Sequence, residues 1–216
     1  MYKLVIFDLD GTLLNTIDDI KDSINFALEK HGFPKYSIEQ VKRFVGSGVK
    51  QMVERALNGL SNESSLIQTI TKDFMEKYKL IQKNKTKPYP NIVETLNKIK
   101  NENIYISVLS NKPIADTKNI ISYYFDNNMF DLVYGQIDGI PVKPDSALVN
   151  RIINSFFLKK EEVLFVGDSD VDMMTAKNAG IDSVFVSWGF RTYDDIKGIG
   201  VNYIITDPLE LLNIVK

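Results

Sequence analysis

The chain has 216 residues, 44% of them hydrophobic and 25% charged, with 26 Lys+Arg against 28 Asp+Glu and a formal net charge of −2. That length buries a substantial core without covalent staples, and the near-neutral balance argues against a basic nucleic-acid binder. There is no cysteine and a single histidine, which excludes disulfides, thiolate nucleophiles, cysteine zinc sites and any multi-histidine metal site within one chain.

The apolar run Leu4-Val5-Ile6-Phe7 has no alternation and predicts a strand covered on both faces, as in a parallel sheet. Asp8 ends it, so the run is too short for a signal peptide, and no stretch reaches the ~18 apolar residues of a membrane span. The expectation is a soluble, cytoplasmic protein with no membrane partner.

Asp8–Asn15 reads as a loop. Thr16, with Asp19 three residues on, reads as a capping-box start for a helix carrying Ile20, Ile24, Ala27 and Leu28 and ending near Gly32 and Pro34. Ser37 and Gln40 open a second helix that runs into Gly46-Ser47-Gly48. A third is expected over Val49–Leu57 and a fourth over Ser65–Gln82, with Leu66, Ile70, Phe74 and Tyr78 on one face. Lys83–Pro90, polar with two prolines, reads as a linker.

Beyond it, helices and strands alternate. Strands are expected at Ile104–Leu109, Leu132–Tyr134, Val163–Val166, Ser183–Val186 and Tyr203–Ile205. Helices are expected at Ile92–Lys100, after Pro113, over Ser146–Phe157 and Val171–Ala179, and after Pro208. This pattern predicts an α/β fold with a doubly wound, mostly parallel sheet. Residues 1–15 and 84–216 form the α/β core, and 16–83 a helical block inserted after the first strand.

In open parallel sheets, sites form at the carboxyl ends of strands. The polar residues that follow strands here are Asp8-Leu9-Asp10-Gly11-Thr12, Ser110-Asn111-Lys112, Lys143-Pro144-Asp145 and Gly167-Asp168-Ser169-Asp170-Val171-Asp172. Carboxylates converging without histidine suit a hard cation, most simply Mg²⁺. A metal beside a lysine, a hydroxyl and loop amides suits a phosphate group. A carboxylate is ionised at neutral pH without a base to activate it, which fits a chain with almost no histidine.

Asp8-Leu9-Asp10-Gly11-Thr12-Leu13, Ser110-Asn111-Lys112, Lys143-Pro144 and Gly167-Asp168-x-x-x-Asp172, in this order, resemble the four signature motifs of the haloacid dehalogenase-like phosphatase superfamily. The resemblance covers essentially the whole chain and points toward its bacterial phosphoglycolate phosphatase and pyrophosphatase subgroup. It implies a Rossmann-like core with residues 16–83 as an α-helical cap domain. It also implies that Asp8 is the nucleophile that forms an aspartyl-phosphate and that Asp10 is the acid–base group. Lys143 offsets charge. Asp8, Asp10, Asp168 and Asp172 make the Mg²⁺ site. Thr12, Ser110 and Asn111 hold the phosphate, and the Gly46-Ser47-Gly48 loop faces the substrate.

Family dehalogenases lack the second aspartate and phosphonate hydrolases carry alanine there, so Asp10 argues against both. Thr12-Leu13 favours a phosphatase over a β-phosphoglucomutase-like phosphomutase. The implied function is Mg²⁺-dependent hydrolysis of a small phosphorylated metabolite, phosphoglycolate first, with pyrophosphate or a sugar phosphate behind it. The chain is expected as a monomer or homodimer. A receiver-like signalling module also pairs aspartate, Mg²⁺, a hydroxyl and a lysine, but lacks the helical insertion and the D-x-D-G-T start.

Other residues have plainer readings. His31 lies at a helix end, near the last carbonyls. Asp145 and Asp170 read as helix caps. Arg43, Lys50 and Arg191 are left open between substrate contact and solvated charge. Trp188 and Phe190 read as loop packing, and Phe125, Phe130, Phe156 and Phe157 as core.

Overall fold

The computed structural model describes residues Met1–Lys216. β1 (Leu4–Phe7) is followed by a two-residue strand, β2 (Leu14–Asn15), and then by helices α1 (Ile17–Lys30), α2 (Ile38–Phe44), α3 (Val49–Ala56) and α4 (Ser64–Ile81). The chain returns through β3 (Lys87–Pro88), which pairs antiparallel with β2, so the expected linker carries half of a small ribbon. The alternating part follows as α5 (Ile92–Asn101), β4 (Tyr105–Pro113), α6 (Ile114–Tyr124), β5 (Leu132–Gln136), α7 (Ala147–Ser155), β6 (Val163–Gly167), α8 (Asp170–Ala179) and β7 (Asp182–Val186). The short α9 (Tyr193–Ile196), β8 (Tyr203–Ile205) and α10 (Leu211–Ile214) complete it.

The main sheet has six parallel strands in the order β5-β4-β1-β6-β7-β8. This is the doubly wound α/β architecture that the alternation predicted. β1 lies at its centre, and its alternate side chains serve two faces. Val5 and Phe7 join the apolar cluster under α5, α6 and α10, while Leu4 and Ile6 join the one under α7 and α8. The strand order runs outward from β1 to β5 and then jumps across to β6. The carboxyl end of β1 is thus the reversal point, where crevices form in such sheets.

Helices α1–α4 bury their own apolar cluster, including Ile24, Leu28, Val41, Val53, Leu57, Ile70 and Phe74, separate from those of the sheet. The long α4 follows the expected period, except that Ile67 rather than Leu66 is fully buried with Ile70, Phe74 and Tyr78. One side chain of this cluster, Phe190, comes from the loop after β7.

Several local expectations are corrected. Thr16 precedes α1 but makes no capping hydrogen bond, and its hydroxyl is buried without a partner. Asp19, expected to complete that box, turns instead to the returning chain. Its carboxylate accepts the backbone amides of Lys85 (3.0 Å) and Thr86 (2.9 Å) and the Thr86 hydroxyl (2.8 Å). Tertiary demand for an acceptor at the crossover overrides the local motif. The Ser37–Gln40 box forms as expected, with both reciprocal bonds. At α8 the cap is Ser169, and Asp170 is the first helical residue. At α7 the cap position is Ser146, and Asp145, one residue earlier, accepts the Ala147 amide at 2.7 Å.

The His31 side chain is not spent on helix carbonyls, because its Nε2 lies 2.6 Å from Asp73 of α4. Phe157 is 96% exposed, not core, since the chain turns there with φ of 55°. The short α9 carries no periodic signal and was not foreseen. No helix is long and apolar enough to cross a membrane.

Candidate active site

β4 is longer than its apolar stretch. Its ladder pairs Leu109 with Tyr134 and Pro113 with Gln136, so four steps on β4 oppose two on β5. Such a bulge bends a strand and re-aims its side chains. Here it carries Ser110, Asn111 and Lys112, which end inside the strand rather than after it and turn toward the carboxyl end of β1. All three are buried.

Asp8, at the tip of β1, is anchored by its own amide to the Val166 carbonyl at 2.9 Å. Its Oδ1 lies 2.6 Å from the Lys143 ammonium, whose second partner is Asp172 Oδ1, also at 2.6 Å. Asp172 is in turn fixed by the first turn of α8. Its Oδ2 accepts the Ser169 amide at 3.1 Å and hydroxyl at 2.6 Å, while its own amide returns to Ser169 Oγ. The capping box that starts the helix also orients the carboxylate that orients the lysine.

Asp168 accepts the Thr12 hydroxyl at 3.1 Å and the Phe190 amide at 2.7 Å. Backbone presses on it from two sides. A Cβ on Gly11, whose φ is 95°, or on Gly189 would run into the Asp168 side chain. Oxygens of Asp8, Asp168 and Asp172 lie within 4.8 Å of one another, all buried.

This packing has electrostatic consequences. Burial, and then the neighbouring Asp172, push the Asp8 carboxyl well above its usual range, with Lys143 opposing them. The same two causes push Asp168 up to about 7. Burial alone would lower Lys143, but Asp172 and Asp8 outweigh it and hold the ammonium above the ordinary lysine range. Three carboxylates against one ammonium leave the cluster short of positive charge. A divalent hard cation fits this all-oxygen donor set and reverses the sign of those shifts.

Asp10, two residues beyond Asp8, has its Oδ1 2.7 Å from the Lys112 ammonium. The Lys112 Nζ also donates to the Tyr78 hydroxyl of α4 at 2.7 Å. Burial would lower Lys112, yet Asp10 and then Tyr78 hold it above the usual range. Neither Lys112 nor Tyr78 was singled out for a role from the sequence. Lys112 sat inside a motif without an assigned task, and Tyr78 read as one more apolar-face aromatic of α4.

Asn111 is a brace. Its amide nitrogen donates to the Gly46 carbonyl (3.0 Å) and the Lys143 carbonyl (2.9 Å), and its oxygen accepts the Lys143 amide (2.9 Å). It thus ties the bulge of β4 to the lysine loop and to the helical block. Ser110 Oγ accepts the Lys112 amide at 3.2 Å, which leaves its proton available to a ligand.

A cleft, partly open to solvent, separates the sheet end from the helices. Asp8, Asp10, Ser110, Lys112 and Asp168 face it from below. Ile20, Val45, Val49, Met52 and Phe74 face it from above. Gly46 and Gly48 line it, but the Ser47 side chain accepts from Arg55 at 2.8 Å and is not part of the lining. Arg43 and Lys50 stand outside it, and Lys50 faces Glu54 at 3.7 Å. Arg191 reaches the cleft edge with its guanidinium spent on the Lys42, Arg43 and Val45 carbonyls at the end of α2.

The chain is similar to known proteins over most of its length. A phosphoglycolate phosphatase of Psychrobacter arcticus is 30% identical over 202 residues, covering 90% of this chain and 87% of that protein. One of Cereibacter sphaeroides is 33% identical over 190 residues, covering 87% and 86%. The crystal structure of a Lactobacillus delbrueckii subsp. bulgaricus protein, provisionally assigned the same activity, superposes with a TM-score of 0.93 at 26% identity. It covers 99% of this chain and 98% of that one. The model of the haloacid dehalogenase-like hydrolases matches residues 5–186, from the central strand through β7. The chain belongs to the haloacid dehalogenase-like hydrolase family and is one of its phosphatases.

Proposed function

We propose that the protein hydrolyses a small phosphate monoester through an aspartyl-phosphate on Asp8, with Mg²⁺ held by Asp8 and Asp168 and by the Asp10 backbone. The observation that carries this reading is the pairing of Asp8 with Lys143 at 2.6 Å inside the three-carboxylate cluster. A buried nucleophilic carboxylate needs a fixed cation to remain ionised, and Asp172 holds that cation in place. Both Asp172 oxygens are engaged by Lys143 and Ser169, so its contribution to the metal site is indirect. When bound, the metal supplies positive charge against the phosphoryl oxygens.

The free oxygen of Asp8 forms the new bond to phosphorus as the bond from phosphorus to the alcohol oxygen breaks. Asp10 gives its proton to that departing oxygen. The Asp10 carboxylate then takes a proton from water while the water oxygen bonds to phosphorus and the Asp8–phosphorus bond breaks. Inorganic phosphate leaves and both aspartates return to their starting states. The Ser110 hydroxyl donates to a phosphoryl oxygen. Helices α1–α4, residues 16–83, act as a cap that keeps bulk water from the transfer. Phosphoglycolate is the first substrate to test, because the relatives bear its name.

Asp8→Asn preserves the shape of the nucleophile and removes its charge. Turnover of the best ester in a phosphate-release panel falls at least about 10³-fold in this variant, and the phosphoenzyme trapped from the unaltered protein disappears. Near-full activity in Asp8→Asn, or undiminished turnover after chelation, sinks the reading. Isomerised sugar phosphate without free phosphate identifies a mutase instead.

A further inference from the structure

We propose that Tyr78, on α4 of the helical block, is a positioning residue for Asp10 and acts through Lys112. The proposal rests on the reading of Asp10 as proton donor.

Three buried or nearly buried groups form a chain across the cleft. The Lys112 ammonium donates to Asp10 Oδ1 at 2.7 Å and to the Tyr78 hydroxyl at 2.7 Å. Tyr78 is 3% exposed and Lys112 is 9% exposed, so water does not replace either bond at little cost. The Tyr78 ring is itself held by near-parallel stacking on Phe74, with centroids 5.5 Å apart and planes 11° from each other. A phenylalanine would satisfy that packing. The hydroxyl is the part that packing does not require, and it is spent on the lysine.

The chemistry follows from which oxygen is occupied. Lys112 takes Oδ1 of Asp10, so Oδ2 is left to carry the proton to the leaving alcohol. A lysine on a flexible stem holds a carboxylate in one orientation only if the ammonium is itself fixed. The second fix comes from the opposite side of the cleft. Asp10 is therefore oriented for proton transfer when α4 lies against the sheet, with the substrate enclosed. The step balances as before: the Asp10 Oδ2 proton passes to the alcohol oxygen as that oxygen leaves phosphorus.

The test compares two phosphate esters of similar size, benzyl phosphate and p-nitrophenyl phosphate, by kcat/KM, which reports steps up to loss of the leaving group. Benzyl alkoxide needs a proton to depart, whereas p-nitrophenolate leaves unaided. In Tyr78→Phe, kcat/KM for benzyl phosphate falls at least about tenfold, the low end of the worth of a hydrogen bond to a charged group. That for p-nitrophenyl phosphate stays within about twofold. Lys112→Met, the second variant, loses activity on both esters, and the larger fall is on benzyl phosphate.

An equal fall for both esters, or no change for either, overturns the proposal and leaves Tyr78 as packing. A protein that in its unaltered form releases phosphate from neither of these nor from any other ester of the phosphate-release panel overturns the parent reading and this one with it. Activity on both esters with an equal loss in the variants overturns this one alone.

Discussion

The two walls of the cleft are built on opposite principles. The lower wall is a dense set of charges: Asp8, Asp10, Lys112 and Asp168 line it, Lys143 and Asp172 stand behind Asp8, and all but the part-exposed Asp10 are buried. The upper wall, on α1–α4, is almost wholly apolar and presents Ile20, Val45, Val49, Met52 and Phe74, with the Tyr78 hydroxyl as its polar exception. Buried charges are costly unless each meets a partner, so the lower wall tolerates no isolated change. The upper wall is held by area and shape, which tolerate substitution more gradually. On the proposed mechanism, reaction chemistry resides on the wall that cannot vary without loss, and the fit of the leaving group on the wall that can.

The sharpest way to break the lower wall is Lys143→Met. It removes the one cation shared by Asp8 and Asp172 and keeps most of the apolar stem. Two carboxylates are then left buried without their ammonium, and breaking buried pairs of this kind costs about 3–5 kcal/mol. The denaturant midpoint of Lys143→Met therefore drops by that equivalent, and phosphatase activity falls to background. A midpoint within experimental error of the unaltered protein contradicts the view that this wall is a single charge network.

A second test concerns the missing positive charge. Burial and Asp172 raise Asp168 to about 7, against about 3.9 for an aspartate in an unfolded chain. Between those values the folded, metal-free protein binds a proton that the unfolded chain does not. Its stability therefore falls as pH rises from about 4 to about 7. In chelator, the melting temperature declines across that window, and Asp168→Asn flattens the decline. Added Mg²⁺ raises the melting temperature more at pH 7 than at pH 5, because protons compete for the same oxygens. If Asp168→Asn and the unaltered protein, both in chelator, show the same dependence of melting on pH, the assignment is refuted.

The same contrast explains what the sequence made legible. Asp8, Asp10, Lys143 and Asp168 stand beside strand ends, and strand ends in a parallel sheet converge whatever lies between them. A one-dimensional reading could therefore bring them together. Helix periods marked α1 and α4 for the same reason, since burial repeats every turn. What escaped notice depends on a neighbour distant in sequence. Asp19 looked like a cap and serves Lys85 and Thr86, 66 and 67 positions away. Tyr78 looked like core and reaches Lys112 from 34 positions away. Ser110–Lys112 were expected after a strand, and only a bulge set by pairing with β5 places them within it. An apolar face shows that a residue is covered but not what its polar end touches.

His31 gives the smallest and most discriminating effect, because it separates the helical block's own stability from the chemistry below it. Its Nε2 lies 2.6 Å from Asp73 on α4, and Lys30 meets the other oxygen of that carboxylate at 2.7 Å. The Lys30 hydrogen bond and then that of His31 hold Asp73 below the usual carboxylate range. A depressed carboxylate stabilises the fold above its unfolded value near pH ~3.9, and the contribution disappears as pH falls through the folded value. His31→Ala removes one of two partners and leaves Lys30, so the expected loss at neutral pH is about 1 kcal/mol. His31 does not line the cleft, and its hydrogen bond runs to Asp73 rather than toward Asp8 or Asp10. kcat on the preferred ester is therefore unchanged within about twofold, the opposite of the outcome for Lys143→Met. A large fall in kcat with the fold intact would show that the helical block transmits more to the sheet end than the Tyr78, Asn111 and Arg191 contacts carry.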